Sequence, residues 1–459
     1  MRPRVRIATW LYVSGTAAAL LALATTTTTR AQGPAKTYAI KGARIVTVSG
    51  PIIDNGTVVI ADGKIVSVGA SAPVPAGAEV IDGTGLEVSP GFFDAMSELG
   101  LTEIGAVNAT NDITEVGAFN PQVDAATAVH PATDHIPVAR ANGITHAVAV
   151  PGMAGMGETA PRGGTGPVIG GQASAFHLDG WTIEEMLISR SVGMVVNWPS
   201  LQARTFDFAT FSSRTRPYRE VKEEQAKQTR EIARWISDAR DYRAARARGA
   251  DRVERNLKLE ALGPYAAGEK PWLVRAGRER DIRDAVSFFV DTHKQKIVLV
   301  GAEEAWKVAA LLAEKKVPVI VGPTQALPDS DDDPYDATMA APAVLHKAGV
   351  TFALSTYSSS DARNLPYEIG TAVGFGLPRD VALRAITLAP AQILGLGAFV
   401  GSVEPGKIAN LVVSRGDPLE IRSTITHVFI KGVPVSLETR HTQLYEKYRN
   451  RPRPAAATR

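Results

Sequence analysis

The stretch "SPGFFDAMSELGL", Ser89–Leu101, joins a strand-like run to a cluster of polar side chains. The run is "GLEVSPGFFDA", and Glu98 is one of the polar residues that follow it. Barrels of parallel strands carry their chemistry on the residues that end those strands. The stretch therefore predicts a β-strand, and if this strand belongs to such a barrel, the residues at its end are candidates for the functional site.

The residues before this stretch, and those near the end of the chain, have the pattern of short β-strands. Apolar and polar residues alternate in "TYAIKGARIVTV" and "GTVVIADGKIVSVG", and the pattern returns in "GSVEPGKIANLVVSRGDPL" and "ITHVFIKGVPV". Three turn dipeptides separate the early strands: Asn55-Gly56, Asp62-Gly63 and Asp82-Gly83. We therefore expect residues 32–90 and 400–440 to build one small β-sandwich from both ends of the chain.

Between these ends, residues 91–399 alternate short apolar strands with helical patterns such as "EEAWKVAALLAEKK". Repeated strand–helix units imply a parallel sheet, and the length favours a TIM-like (β/α)8 barrel over a doubly wound sheet. The charged segment 218–257 interrupts this alternation. Its apolar stripe at helical spacing predicts a solvated helix that lies on the barrel, with a lid or a subunit contact as the alternative. Residues 441–459 form a C-terminal tail.

The N-terminus has the pattern of a secretory leader. Arg2, Arg4 and Arg6 precede the apolar segment "IATWLYVSGTAAALLALA", and the small residues Thr29 and Ala31 precede a cleavage position. We expect residues 1–31 to be removed and the mature protein to be secreted or periplasmic. An uncleaved membrane anchor is the alternative, because the apolar segment approaches the length that spans a bilayer.

Charge and cysteine content restrict the partners of the mature chain. Cleavage after Ala31 removes four arginines and no acidic residue, so that 50 basic residues fall to 46 against 47 acidic ones, a net charge of −1. This balance gives no reason to expect a nucleic acid or an anionic membrane as partner. The chain has no cysteine, which excludes disulfides and thiolate ligands.

Several phrases of the chain, in their order and spacing, resemble the amidohydrolase superfamily, especially its imidazolonepropionase-like members. They are "GTVVIADGKIVSVG", "SPGFFDA", "ANGITHAVAVPG", "PVIGGQASAFHLDG", "AITLAPAQILGL" and "GSVEPGKIANLVV". The resemblance covers most of residues 37–436. It implies a TIM-like barrel that hydrolyses C–N bonds, such as amides, cyclic amides or dipeptides, with one or two divalent metals.

The same resemblance implies metal ligands that this chain does not keep. In the superfamily, His-x-His ends the first strand, single histidines end two later strands, and an Asp ends the last. The matching residues here are Met96 and Glu98, then Arg275 (with Gly277 two residues on), Gly301 and Tyr357. By resemblance, Met96, Glu98, Arg275 and Tyr357 should converge on one pocket at the barrel mouth.

These residue types do not suit a hydrolytic zinc ion. Methionine is a soft ligand, arginine stays cationic, glycine has no side chain and phenolic tyrosine deprotonates only near pH 10. We therefore expect no metal cofactor unless other residues rebuild a zinc site. We also expect Glu98 and Arg275 to form an ion pair in place of the metal, or to share a bridging residue. His177, in "ASAFHLDG", is a further pocket candidate, with a surface or capped histidine as the alternative.

Two functions remain open from the sequence. The first is an exported hydrolase of amide or dipeptide C–N bonds whose degenerate metal site leaves weak or no metal-dependent activity. The second is a non-catalytic protein on the same fold, either a partner subunit or a binder of a small molecule. An oligomer with itself or with a related amidohydrolase is compatible with both.

We predict that the mature protein begins near Gln32, because the small residues of the cleavage position end at Ala31. The intact mass of the protein recovered from the exporting cell measures this directly. A mass that still includes residues 1–31 would show that the segment is kept as an anchor.

Overall fold

The structure, a computed structural model, describes residues 36–153, 166–201, 203–207, 212–249, 252–328 and 330–452. The predicted leader, residues 1–31, lies outside the described residues, as does the end of the tail, residues 453–459.

The strands, in chain order, are β1 Tyr38–Ile45, β2 Ile53–Ala61, β3 Lys64–Gly69, β4 Glu79–Asp82, β5 Glu87–Pro90, β6 Phe92–Ser97, β7 Ile144–Ala149, β8 Ile169–His177, β9 Leu187–Asn197, β10 Arg204–Asp207, β11 Ser212–Thr215, β12 Trp272–Arg275, β13 Ile297–Val300, β14 Val319–Val321, β15 Phe352–Leu354, β16 Leu411–Arg415, β17 Thr424–Ile430 and β18 Val433–Pro434.

The α-helices are α1 His135–Ala141, α2 Ile183–Met186, α3 Tyr218–Arg248, α4 Leu257–Ala266, α5 Glu279–Val286, α6 Ala309–Lys315, α7 Ala337–Lys347, α8 Leu365–Gly374, α9 Arg379–Ala385, α10 Leu388–Ile393 and α11 Arg440–Arg449. Among the described helices, none is both long enough and apolar enough to cross a membrane.

Both ends of the chain meet in one mixed sheet of eight strands. Its order is β18-β17-β16-β5-β1-β2-β3, with β4 paired to β1. The two ends join where β16 runs antiparallel to β5, with Leu411 opposite Pro90. The inward side chains form a separate core in which the rings of Tyr38 and Phe429 lie 5.6 Å apart. The predicted composite β module is confirmed, as a single sheet that encloses its own core.

The second sheet is the barrel, with eight strands in the order β15-β14-β13-β12-β9-β8-β7-β6. Seven of these strands are parallel, which confirms the TIM-like architecture, whereas β8 runs antiparallel to both β7 and β9. The cause is the short connection between β8 and β9, residues 178–186. A parallel crossover needs about a dozen residues or more.

Alternate side chains of the barrel strands point inward and outward, as the pleat of a strand requires. The inward residues form one buried cluster to which every strand contributes, including Phe93, Val148, Ala173, Val195, Leu273, Val298, Ile320 and Ala353. The outward residues pack beneath the helices in a second cluster, which includes Phe92, Ile144, Val196, Val274, Leu299 and Val319. Burial on both faces explains why these strands read as short continuous apolar runs.

The charged segment forms the long helix α3, which lies on this outer layer. Its buried side chains Ile232, Ile236 and Ala239 belong to the outer core, and Trp235 stacks on Phe119 with 5.7 Å between ring centroids. The contacts agree with the predicted solvated helix on the barrel, since the apolar stripe faces the core and the charged residues face away.

The barrel closes between its first and last strands through polar contacts, which we call the seam (Asp94, Met96, Ser355, Thr356 and Tyr357). The backbone N–H of Met96 donates to Ser355 Oγ at 2.8 Å, and the N–H of Tyr357 donates to the Met96 carbonyl at 3.0 Å. Asp94 is fully buried and accepts from Thr356 N at 3.1 Å and from Thr356 Oγ1 at 2.5 Å. Ser355 Oγ contacts both the Asp94 carboxyl and the Met96 carbonyl.

Burial raises the pKa of Asp94 to about 6, although hydrogen bonds from Ser355 and Thr356 oppose the shift. The folded protein therefore holds this proton more tightly than the unfolded chain, whose aspartates titrate near pH 4. Ionisation of Asp94 should lower the free energy of unfolding as the pH rises from about 4 to about 6, by up to about 3 kcal/mol.

The measurement is urea unfolding at several pH values for the wild type, for Asp94→Asn and for a control, Asp380→Asn, on an exposed residue. The buried residues His146 and His177 have lowered pKa values and act in the opposite direction, so the difference between proteins is the informative quantity. Equal pH dependence in wild type and Asp94→Asn would contradict the assignment.

Candidate functional site

The barrel mouth lies where the parallel strands end, and four of the predicted residues follow or end such strands. Glu98 follows β6, Arg275 ends β12, Gly301 follows β13 and Tyr357 follows β15. Because these strands are parallel, their ends lie on the same rim of the barrel.

Tyr357 fills the inner side of this rim. It is 4% exposed, belongs to the same inner core as Met96, and has a left-handed φ of 56°. Its hydroxyl donates to the carbonyl of Ile320 at 2.6 Å and accepts from the N–H of Gly301 at 2.7 Å. Burial raises the pKa of this phenol well above its usual value. The backbone strain, which costs about 1–3 kcal/mol, is offset by these fixed contacts across the barrel.

Arg275 is held by the loop of the neighbouring strand. Its Nη2 donates to Glu303 Oε1 at 2.7 Å, and its Nη1 donates to Glu303 Oε2 at 3.1 Å and to the Gly301 carbonyl at 2.6 Å. This two-point contact matches the planar guanidinium to the carboxylate. Gly301 thus connects Arg275, through its carbonyl, with Tyr357, through its N–H.

The predicted direct ion pair between Glu98 and Arg275 is wrong. Arg275 pairs with Glu303 because β12 and β13 are neighbours in the sheet, whereas β7, β8 and β9 separate β12 from β6. Glu98 is buried, and the hydroxyl of Thr102 lies 3.5 Å from its Oε2.

Gly277 leaves the space that the Arg275–Glu303 pair occupies. A Cβ at this position would collide with the Glu303 carboxylate and lie 2.8 Å from Arg275 Nη1. Arg275 can therefore pair with Glu303 only because the residue at position 277 is a glycine.

His177 does not belong to this site. It ends β8, and because β8 runs antiparallel, the residue lies opposite His146 near the start of β7, at the other end of the barrel. Its Nδ1 lies 3.1 Å from the amide of Asn410, which precedes β16 of the mixed sheet. Burial and the charge of Lys431 lower its pKa to about 3, so that the ring is neutral. The prediction of His177 as a pocket residue is wrong, because it assumed a parallel strand.

Two important residues at this rim were missed by the sequence reasoning. Asp94 stands inside the quoted motif, two residues before Met96. This spacing puts both residues on the same face of the strand and was an available signal that Asp94 lies near the rim. Glu303 stands in "IVLVGAEEA", two residues after Gly301, but only the pairing of β12 with β13 shows that it reaches Arg275.

The residues at the ligand positions do not fit a divalent metal. Met96 is fully buried in apolar surroundings, both hydrogen-bonding directions of the Tyr357 hydroxyl are used, and Arg275 brings a positive charge. Within the described part of the chain, no three His, Cys, Asp or Glu side chains are grouped so that they could hold a metal ion. A zinc site takes three or four such ligands.

The comparison with known proteins agrees with the barrel and its composite sheet. The model of the amidohydrolase family matches residues 135–435, which is more than half of the chain. The chain belongs to the amidohydrolase family. Amidohydrolase tasK from Hapsidospora irregularis is 24% identical over 436 residues, 85% of this chain and 41% of the relative, so this chain spans less than half of that protein.

Solved structures of other amidohydrolases share the fold. An amidohydrolase from Thermotoga maritima MSB8 is 27% identical, with a TM-score of 0.73 over 87% of this chain and 99% of that one. A prolidase complexed with N-methylphosphonate-L-proline is 18% identical, with a TM-score of 0.53 over 87% of this chain and 99% of its own. The latter likeness shows the fold alone.

We predict that Gly277→Ala breaks the Arg275–Glu303 pair, because the added methyl group occupies the space of the carboxylate. The expected loss is about 1.5–3 kcal/mol in the free energy of unfolding, the range for a hydrogen bond to a charged group. Glu303→Gln should have an effect in the same direction, and Gly374→Ala, where a Cβ meets nothing within 4 Å, is the matched control. Urea unfolding decides, and a Gly277→Ala protein as stable as the control would contradict this packing.

Proposed function

We propose that this chain is an exported member of the amidohydrolase family whose barrel mouth no longer supports metal-dependent C–N hydrolysis, and that it acts as a non-catalytic subunit or small-molecule binder. The observation that carries the proposal is the two-point contact of Arg275 with Glu303, linked through Gly301 to the Tyr357 hydroxyl.

This network supports the loss of metal chemistry in two ways. Arg275 is a fixed cation at a ligand position, and its repulsion of a dication is not relieved, since arginine is not deprotonated in proteins. Glu303 could offer carboxylate oxygens to a cation, but both of them accept from the arginine. Removing the glutamate from this pair would leave a partly buried charge without its partner, which is costly.

The position of Tyr357 supports the same conclusion. The residue stands where the family's catalytic Asp is expected by resemblance, and the pKa of its hydroxyl is raised by burial. A general base needs a pKa near the working pH. A phenol that stays protonated and donates to the Ile320 carbonyl does not accept a proton from water.

Export is the second part of the proposal and depends on the sequence of the leader. Outside the cytoplasm, a chain without cysteine depends on packing alone, and the two apolar layers of the barrel supply such packing.

Hydrolysis of an amide or dipeptide bond is the second candidate. Family membership favours it, as do the similar proteins, which include amidohydrolases and a prolidase. This support is analogy of fold, and the same fold carries different functions.

The experiment measures the metal content of the purified mature protein and its hydrolysis of prolyl dipeptides, with and without added zinc and a chelator. We expect far less than one metal ion per chain and no hydrolysis that the chelator removes. The matched control combines Met96→His, Glu98→His, Arg275→His and Tyr357→Asp, which restores four of the five ligand types and should raise zinc binding. One zinc ion per wild-type chain, with hydrolysis lost in the chelator, would establish the second candidate instead.

A further inference from the structure

A cavity opens at the opposite end of the barrel from the mouth. Its volume is about 620 Å³, within the range of small-molecule sites. It is lined by residues that precede or begin β9, β12, β13 and β14, and by the segment Gln392–Leu396 at the end of α10. None of the residues that match the family's metal ligands lines this cavity.

The floor of this cavity is apolar. Val192 and Val298 come from the barrel strands, and Leu394 and Leu396 come from the segment after α10. All four belong to the inner core of the barrel. An apolar group that covers this floor is removed from water, which favours its binding by about 25 cal/mol for each Å² buried.

The rim of the cavity is positively charged. Four lysines line it (Lys270, Lys296, Lys315 and Lys316), with Glu269 as the single acidic residue of the lining. The Glu269 carboxylate is already taken, since Arg243 Nη2 lies 2.6 Å from it. Lys315 pairs with an aspartate outside the lining. Excess positive charge around an open cleft raises the local concentration of anions.

Two of these lysines remain available for an anion. Neither Lys296 nor Lys316 has a carboxylate partner among the described ion pairs, and both side chains are exposed. Lys270 is fixed differently, because its Nζ donates to the carbonyl of Ser191 at 3.1 Å. An ammonium group has three donor hydrogens, so Lys270 can still donate to a ligand.

The wall between rim and floor offers few other donors. Pro271 and Pro318 have no backbone N–H. The side chain of Gln295 is buried and occupied, since its Oε1 accepts from Trp272 Nε1 at 3.0 Å and its Nε2 donates to the carbonyl of His293 at 3.0 Å. A ligand head group at the rim therefore meets the lysine ammonium groups.

We propose that this cavity, which we call the basal cavity, binds a small amphipathic anion. The negative head group is a carboxylate that lies at Lys270, Lys296 and Lys316, and the apolar chain covers the floor. The ligand is a free molecule. The proposal is independent of the function proposed for the barrel mouth.

The experiment is isothermal titration of the mature full-length protein with dodecanoate below its micelle concentration. We expect saturable binding that weakens as salt is added, because the lysines are partly solvated. The double variant Lys296→Gln, Lys316→Gln should bind about tenfold more weakly, the loss expected for contacts to a charged group. Both positions are exposed, so the fold should survive the change.

The matched control is Lys222→Gln with Lys347→Gln, which removes the same charge from exposed positions outside the cavity. Binding that weakens equally in both double variants would reduce the effect to net charge and overturn the proposal. So would the absence of dodecanoate binding by the wild type.

Two further probes test the contribution of the apolar chain and distinguish a free ligand from a membrane lipid. Inorganic phosphate should bind at least tenfold more weakly than dodecanoate, because it has no group to cover the floor. Equal binding of phosphate would contradict the role of the floor. Vesicles of an anionic phospholipid should not retain the protein, and retention without binding of free dodecanoate would replace the proposal by a membrane contact.

Discussion

The closure of the barrel at the seam is the contact on which the other features of the mouth depend. Asp94 on β6 receives the N–H and hydroxyl of Thr356 from the residues after β15, and the adjacent backbone groups of Met96 hold Ser355 and Tyr357. A buried carboxyl is costly unless it is hydrogen-bonded or protonated. The hydrogen bonds from Thr356 to this carboxyl hold the first strand against the last. They thereby position Tyr357 so that its hydroxyl reaches Gly301 across the barrel.

From this seam a chain of contacts crosses the mouth to β12. Tyr357 bonds the backbone of Gly301, Gly301 bonds Arg275, and Arg275 bonds Glu303. In this chain a cation that belongs to the protein contacts one carboxylate and one carbonyl. A pair of this kind adds little stability in itself, because desolvation offsets most of the attraction, but it specifies one arrangement of the loops.

The two ends of the barrel differ in polarity and in what remains open to a ligand. At the mouth, Arg275, Glu303, Gly301 and Tyr357 are joined by hydrogen bonds to one another. At the basal cavity, lysines surround an apolar floor and the acidic group of the lining is engaged elsewhere. Strand starts usually serve stability rather than chemistry in such barrels. A cavity with excess positive charge at that end is therefore not explained by stability alone, and we have proposed that it binds a small molecule.

The sequence by itself determined the class of fold, the composite sheet and the residue types at the ligand positions, because alternating patterns, turn dipeptides and motif order are local properties of the chain. It determined that Met96, Arg275 and Tyr357 are unsuited to zinc, since this follows from side-chain chemistry. Tertiary structure decided the partners. Glu303 reaches Arg275 because β12 and β13 pair, and His177 lies at the far end of the barrel because a short connection forces β8 to run antiparallel. Contacts between strands depend on the order and direction of the strands in the sheet, which the alternating pattern of a single strand does not specify.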